Sequence, residues 1–352
     1  MGILMKQLTA IDRLTAVAHG KKVDHQPCIC PGGMMNMIIT EIMERSGISW
    51  PEAHSTAEQM AALTYELNHA GGFENYGVPF CMTVEAEAMG ATVDMGDAQT
   101  EPHVVDSPLS SATQLDQLAP FSLDQGRIPT VLTAIRLLKA KGTSVPVIAN
   151  ITGPVSVAGT LVDMTSLLME LRKKPEACHR LMSLITDNLI TYGQAQVAAG
   201  ADAICIAEPS GTGEILGRRF FHEYSLPYLN RLLDSLEVPV KIVHICGRLH
   251  SIYEELSALH CDAFSFDACV SIEEIKPYLA GKAIMGNVNT HALGSMSGHK
   301  IEQLTKAALN KGADIVAPAC GLPLTTPLAN IQTMVATVRN EFSGDEQHEL
   351  SD

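Results

Sequence analysis

Three side chains stand out for the chemistry their types allow: His244 and Cys246, two positions apart, and Cys320 far downstream. Each group closes a short apolar run, Val240 to Cys246 and Ala313 to Cys320. Side chains alternate along a strand, so residues two apart share a face. One imidazole and two thiolates suit tetrahedral zinc, and three protein ligands leave a fourth position for water or substrate. A structural zinc site is usually closed by a fourth residue in a compact knuckle; this spacing leaves the position open. Gly247 and Gly321 follow the two ligand segments directly and let the backbone turn sharply beside a bound group. Without a metal the same residues are a packed histidine–cysteine pair. Cys28-Ile-Cys30 is a rival thiol pair, whose plainer interpretation is a buried strand with small residues on one face.

An open thiolate-rich zinc narrows the chemistry. Zinc has no redox chemistry and acts as a Lewis acid or activates a nucleophile. Two thiolates donate more charge than two imidazoles, which makes the ion a poorer acid and a better carrier for an incoming thiol. A thiol on zinc is deprotonated, and the thiolate is the nucleophile. The set therefore predicts alkylation of a substrate thiol by a compact electrophile, most obviously a methyl group.

Such a set needs elements to hold it. Strand-like segments fall at 26–30, 76–82, 145–151, 202–207, 238–246, 262–267, 283–288 and 313–320, with helical patterns between them. Continuous aliphatic runs such as Val147 to Ile151 suit strands buried on both faces. Helices are expected at 56–70, 128–141, 159–199 (broken near Lys174-Pro175), 220–236, 300–310 and 328–342, the last capped by Thr325-Thr326-Pro327. Repeated βα units predict one α/β domain, a single (β/α)8 barrel, with residues 1–25 as a helical extension. Residues 84–127 form an insertion, and 343–352 a polar, frayed tail.

Barrel active sites lie at the C-terminal strand ends. Those ends are Cys30, Cys81, Asn150, Glu208, His244 with Cys246, Asp267, Asn287 and Cys320, so the ligand types fall where the fold places catalysis. Glu208 is a reserve ligand or a group that handles a substrate proton. Asp267 and Asn287 are substrate or cofactor contacts, or caps of the following helices. Gly32-Gly33 is a backbone anion nest or a plain turn. Of Glu85 and Glu87, one points into the mouth and the other is solvated.

Composition sets the outer limits. A formal net charge of −15 argues against nucleic acid, which needs a basic face. Nine cysteines spread over 352 residues are an odd count and do not suggest a disulfide framework. No apolar run approaches a membrane span, and no signal-peptide pattern is present, so the expected location is the cytoplasm.

With these residues in view, a family fits. Val243-His-Ile-Cys-Gly247, Met285-Gly-Asn-Val288 and Val316-Ala-Pro-Ala-Cys-Gly321 resemble the zinc-dependent methylcobamide:coenzyme M methyltransferases of the uroporphyrinogen decarboxylase superfamily. So do Trp50-Pro-Glu-Ala-His54, Pro79 to Val84 with Glu87 to Gly90, and Gly126 to Val131. The resemblance implies zinc on His244, Cys246 and Cys320, and a barrel mouth that receives a methylated corrinoid on a separate small corrinoid protein. It also implies that a zinc-bound thiolate, most simply coenzyme M, takes the methyl group from Co(III). The decarboxylases share an Arg-Gln-Ala-Gly-Arg segment after the first strand; this chain has Cys30-Pro-Gly-Gly-Met-Met there, with no arginine for a porphyrin's carboxylates. A corrinoid carrier would need an Asp-x-His-x-x-Gly segment, which is absent. Arg248, Arg127 and His222 are candidates to hold the sulfonate.

Overall fold

The computed structural model describes residues 8–118 and 120–348. Seven parallel strands form one curled sheet: β1 (Tyr76–Val78), β4 (Val147–Thr152), β5 (Ala203–Ala207), β6 (Val240–Ile245), β7 (Ala263–Phe266), β8 (Ala283–Val288) and β9 (Ile315–Pro318), adjacent in that order. Every residue of β1, β4, β5, β7 and β9 is buried, as expected for parallel strands covered on both faces. Helices lie between successive strands, the longest being Pro175–Ala199. Among the described residues no helix is long and apolar enough to cross a membrane.

Eight strands were expected in the sheet, and among the described residues seven are found there. Segment 26–30 makes one isolated bridge, Cys28 with Val316, in place of a strand. Prolines explain it: Pro27 lies within the segment and Pro31 follows it directly, and neither has an N–H to give to a ladder. The segment still lies between the two edge strands. Ile29 N–H donates to Val316 O (3.0 Å), and Cys28 O accepts from Glu74 N–H (2.9 Å). Beyond that, the Asn75 carboxamide replaces a strand partner, accepting from Cys30 N–H (2.9 Å) and donating to Cys30 O (2.8 Å).

The insertion is more ordered than its composition suggests. It carries a short helix, Val84–Ala88, and an antiparallel pair, β2 (Thr92–Asp94) with β3 (His103–Asp106). The 159–199 pattern becomes three helices, Pro154–Leu161, Met164–Lys173 and Pro175–Ala199, broken at Lys174 as Pro175 requires. In the N-terminal extension, helix Ala10–Ala18 has a reciprocal cap between Thr9 and Asp12. The last helix, Leu328–His348, runs past the boundary expected at 342 because no proline stops it, so 343–348 of the expected frayed tail are helical; 349–352 lie outside the described residues. Its first N–H is met by Glu41 Oε2 (3.0 Å), not by the expected threonine cap; Thr326 Oγ1 donates instead to Pro323 O (2.6 Å).

Candidate metal centre

The strand register builds the centre. His244 sits near the end of β6, is fully buried, and pairs across the ladder with Ser265 of β7. Because the pair is in register, His244 Nδ1 lies 2.9 Å from Ser265 Oγ. A proton on Nδ1, donated to that hydroxyl, leaves the Nε2 lone pair facing outward from the strand end. There Nε2 lies 2.9 Å from Cys246 Sγ, which is 3.2 Å from Cys320 Sγ. Among the described residues these three form the one cluster of metal-ligand atoms, all within 4.8 Å of one another.

The two sulfurs are coupled through one shared proton. The hydrogen bond to Cys320, burial, and the nearby charge of Cys320 together push the Cys246 thiol far up. The same hydrogen bond, with help from His244, draws Cys320 down to about 4. Two sulfurs sharing one proton are one positive charge short of balance. A dication replaces that proton, and one imidazole with two sulfurs is a donor set that zinc accepts. The residues fit the ion.

Other expected residues are placed differently. Glu208 lies outside the cluster. It is fully buried, and its carboxylate accepts from the N–H groups of Val155 (2.9 Å) and Ser156 (2.7 Å) and from the Ser156 hydroxyl, at the start of helix Pro154–Leu161. Burial raises its pKa to about 7 against these bonds. Its own N–H donates to His244 O (2.9 Å), so it joins that helix to the ligand strand. Asp267 and Cys269 lie close enough for their charges to press on Cys246, and Asp267 Oδ1 accepts from Cys269 N–H (3.0 Å). Asn287 Nδ2 donates to the carbonyls of Asp267 (3.0 Å) and Val270 (2.8 Å), which pins this loop and uses both amide hydrogens.

Gly32 and Gly33 form a turn and not an anion nest. Their N–H groups donate to Met35 O (3.2 Å) and Pro79 O (2.8 Å), leaving none for a ligand. Both have positive φ, +100° and +60°, and a Cβ on either would strike Asn150 within 3 Å. The rival pair is inert: Cys30 Sγ donates to Met35 O (3.1 Å), and burial raises both Cys28 and Cys30. Of the expected Glu85/Glu87 pair, Glu85 is buried and Glu87 is partly exposed, and both carboxylates have protein partners. Glu85 accepts from Thr152 N–H (2.8 Å) and hydroxyl (3.0 Å), while Glu87 accepts from Arg127 Nε (2.8 Å).

Two residues of the neighbourhood had no sequence signal. Ser265 is visible only once β6 and β7 are paired. Glu101 lies exposed between β2 and β3, close enough for the charge of Cys320 to bear on it. The long insertion carries it toward the centre, and nothing in the spacing announces that.

Comparison with known proteins agrees with this geometry. The profile of the family described as Uroporphyrinogen decarboxylase (URO-D) matches residues 9–341. A methylcobamide:CoM methyltransferase of Methanosarcina barkeri is 32 % identical, covering 96 % of this chain and 99 % of the relative. Another, from Methanosarcina mazei, is 33 % identical with the same coverage. A solved methyltransferase structure from Methanosarcina mazei superposes with a TM-score of 0.88 at 32 % identity, over 96 % of this chain and 99 % of that one. With its seven parallel strands and three converging donors, the chain belongs to the uroporphyrinogen decarboxylase family, and within it is a methyltransferase.

Proposed function

We propose that this chain transfers a methyl group from a methylated corrinoid to a small thiol, coenzyme M, at a zinc ion held by His244, Cys246 and Cys320. The observation that carries this is the cluster of one imidazole and two sulfurs at the sheet's C-terminal edge, in a chain similar to proteins named for that transfer. Zinc, when bound, keeps a substrate thiol deprotonated and nucleophilic near neutral pH. The protein's own residues do the rest. Ser265 fixes the His244 tautomer, and the buried β6–β7 pair holds the imidazole still. Glu208, through helix Pro154–Leu161, braces the strand from the other side. Its role is positioning.

In the transfer the carbon–sulfur bond forms as the cobalt–carbon bond breaks. The electron pair stays on cobalt as Co(I), and the thiol's proton leaves to solvent. The corrinoid is large and arrives on a small corrinoid protein that docks at the mouth. We take the curled sheet, with segment 26–30 in the eighth place, as the wall of a (β/α)8 barrel that works as one domain in the cytoplasm. Porphyrinogen decarboxylation has no support: the segment after position 30 lacks arginine, and Arg127 is consumed by Glu87, Cys81 and Thr83.

The test is the visible spectrum of methylcobalamin incubated anaerobically with zinc-loaded protein and coenzyme M, with homocysteine as control thiol. The expected result is demethylation with coenzyme M, abolished by chelation. Demethylation with homocysteine alone would move the acceptor. No reaction with either thiol, with stoichiometric zinc and a corrinoid protein supplied, would defeat the proposal.

A further inference from the structure

The strand-end connections are poor in positive charge. After β4, β5, β7, β8 and β9, up to the first α-helix that follows, there is no lysine or arginine, and none occurs in 31–39. Arg127 closes the long 79–127 connection, and Arg248 follows β6.

The two arginines differ in availability. Arg127 is 5 % exposed, and each of its nitrogens has a protein partner: Nε with Glu87 (2.8 Å), Nη1 with Cys81 Sγ (3.2 Å) and Nη2 with Thr83 (2.6 Å). Its role is to hold the insertion against β1. Arg248 has a side chain 77 % exposed and one loose ion pair, Nη1 to Glu214 Oε1 at 3.7 Å. Such a pair is solvent-screened and easily exchanged. His222 belongs to an outer cleft with Arg218, Arg219, Glu223 and Glu255, away from the ligand segments.

Position completes the case. Arg248 is two residues beyond Cys246, a span of at most about 7 Å of chain. Gly247, at φ +73°, turns the backbone between them. The charge of Arg248 reaches Cys269, which with Asp267 faces Cys246. A compact molecule with its sulfur at the metal and an anionic group a few bonds away can therefore reach this guanidinium.

We propose that Arg248 holds the anionic end of the acceptor thiol and thereby sets which thiols the centre uses. This rests on the methyl transfer proposed above. For coenzyme M the group is the sulfonate, a planar-fork match for guanidinium. Anchoring the sulfur makes the second contact intramolecular, so even an exposed arginine gains from the high local concentration of the anion. Glu214 competes for the same guanidinium and tempers the effect.

The experiment compares coenzyme M with 2-mercaptoethanol, which has the thiol but no anionic group, as acceptors from methylcobalamin. It uses the zinc-loaded wild type, Arg248→Gln, Arg248→Lys and Glu214→Gln, with zinc content and far-UV circular dichroism checked for each. The expected result is that Arg248→Gln lowers the ratio of kcat/KM for coenzyme M over mercaptoethanol by about tenfold or more, mostly through KM. Arg248→Lys keeps most of the ratio, and Glu214→Gln raises it. An unchanged ratio in Arg248→Gln overturns the proposal. If the wild type methylates neither thiol even with a corrinoid protein supplied, the transfer itself is refuted, and calorimetry of coenzyme M binding decides about Arg248. Affinity reduced about tenfold in Arg248→Gln then sustains the anion site, and equal affinity overturns it.

Discussion

At the scale of single residues, the three donors of the centre are supported by one hydroxyl, that of Ser265. Ser265 fixes which nitrogen of His244 faces the sulfurs, while itself touching no proposed substrate. Outer partners of this kind usually change metal affinity by about 10- to 100-fold. Ser265→Ala is therefore expected to weaken zinc by that order in a chelator competition, with the fold intact. Cys246→Ala and Cys320→Ala each remove one of three donors and are expected to lose both zinc and turnover with an unchanged far-UV spectrum. Either variant keeping full zinc would show that the ligand set is wrong. The donors themselves were legible in the sequence, because histidine and cysteine at strand ends are conspicuous types in informative places. Glu208 was misleading for the same reason. A buried carboxylate beside the ligand strand resembles a reserve ligand, and only the three-dimensional partners reveal that it serves a helix start.

At the scale of elements, alternation of apolar runs and helical patterns disclosed seven of the eight expected strands, with ends displaced by a few residues. Segment 26–30 has the right side chains and the wrong backbone. Its cysteines and isoleucine fit a buried strand, but Pro27 within it and Pro31 after it limit the donors, and Asn75 supplies the missing partner. No local pattern identifies an asparagine that acts as a strand. Asn75→Ala would leave the N–H and carbonyl of the buried Cys30 unmet, at a cost of about 1–3 kcal/mol for each group. The expected outcome is a lower melting temperature with faster hydrogen exchange concentrated at residues 28–30. Uniform destabilisation without that local signature would count against the role given to Asn75.

At the scale of the whole molecule, one buried acid joins the two ends of the chain to the underside of the sheet. Glu74, 5 % exposed, accepts from Cys28 N–H (3.1 Å) and pairs with His25 (3.3 Å), Arg339 (2.9 Å) and, at 3.9 Å, Arg13. Arg13 belongs to the first helix and Arg339 to the last. Burial alone would raise the Glu74 pKa, but the bonds from His25, Cys28 and Arg339 outweigh it and hold it at about 2. The folded value lies below the ordinary 4.5, so the stabilisation is complete above pH 4.5 and is lost as the pH falls toward 2. Its size is on the order of 3 kcal/mol. Urea titrations from pH 6 down to 2.5 are expected to show this loss in the wild type and a flatter profile in Glu74→Gln. Parallel profiles would remove Glu74 from the account of acid stability.

Cys246 and Cys320 meet at 3.2 Å although 74 positions separate them along the chain. Whatever joins the two sulfurs therefore also encloses the whole of β7, β8 and β9 in a covalent-like loop. An ion held there would act as a removable rivet, stabilising the folded chain by binding it in preference to the unfolded one, and would be released by competition for the metal and not by reduction. The three donors proposed to prepare a thiol for alkylation would then also couple the cohesion of the fold to the supply of one trace element.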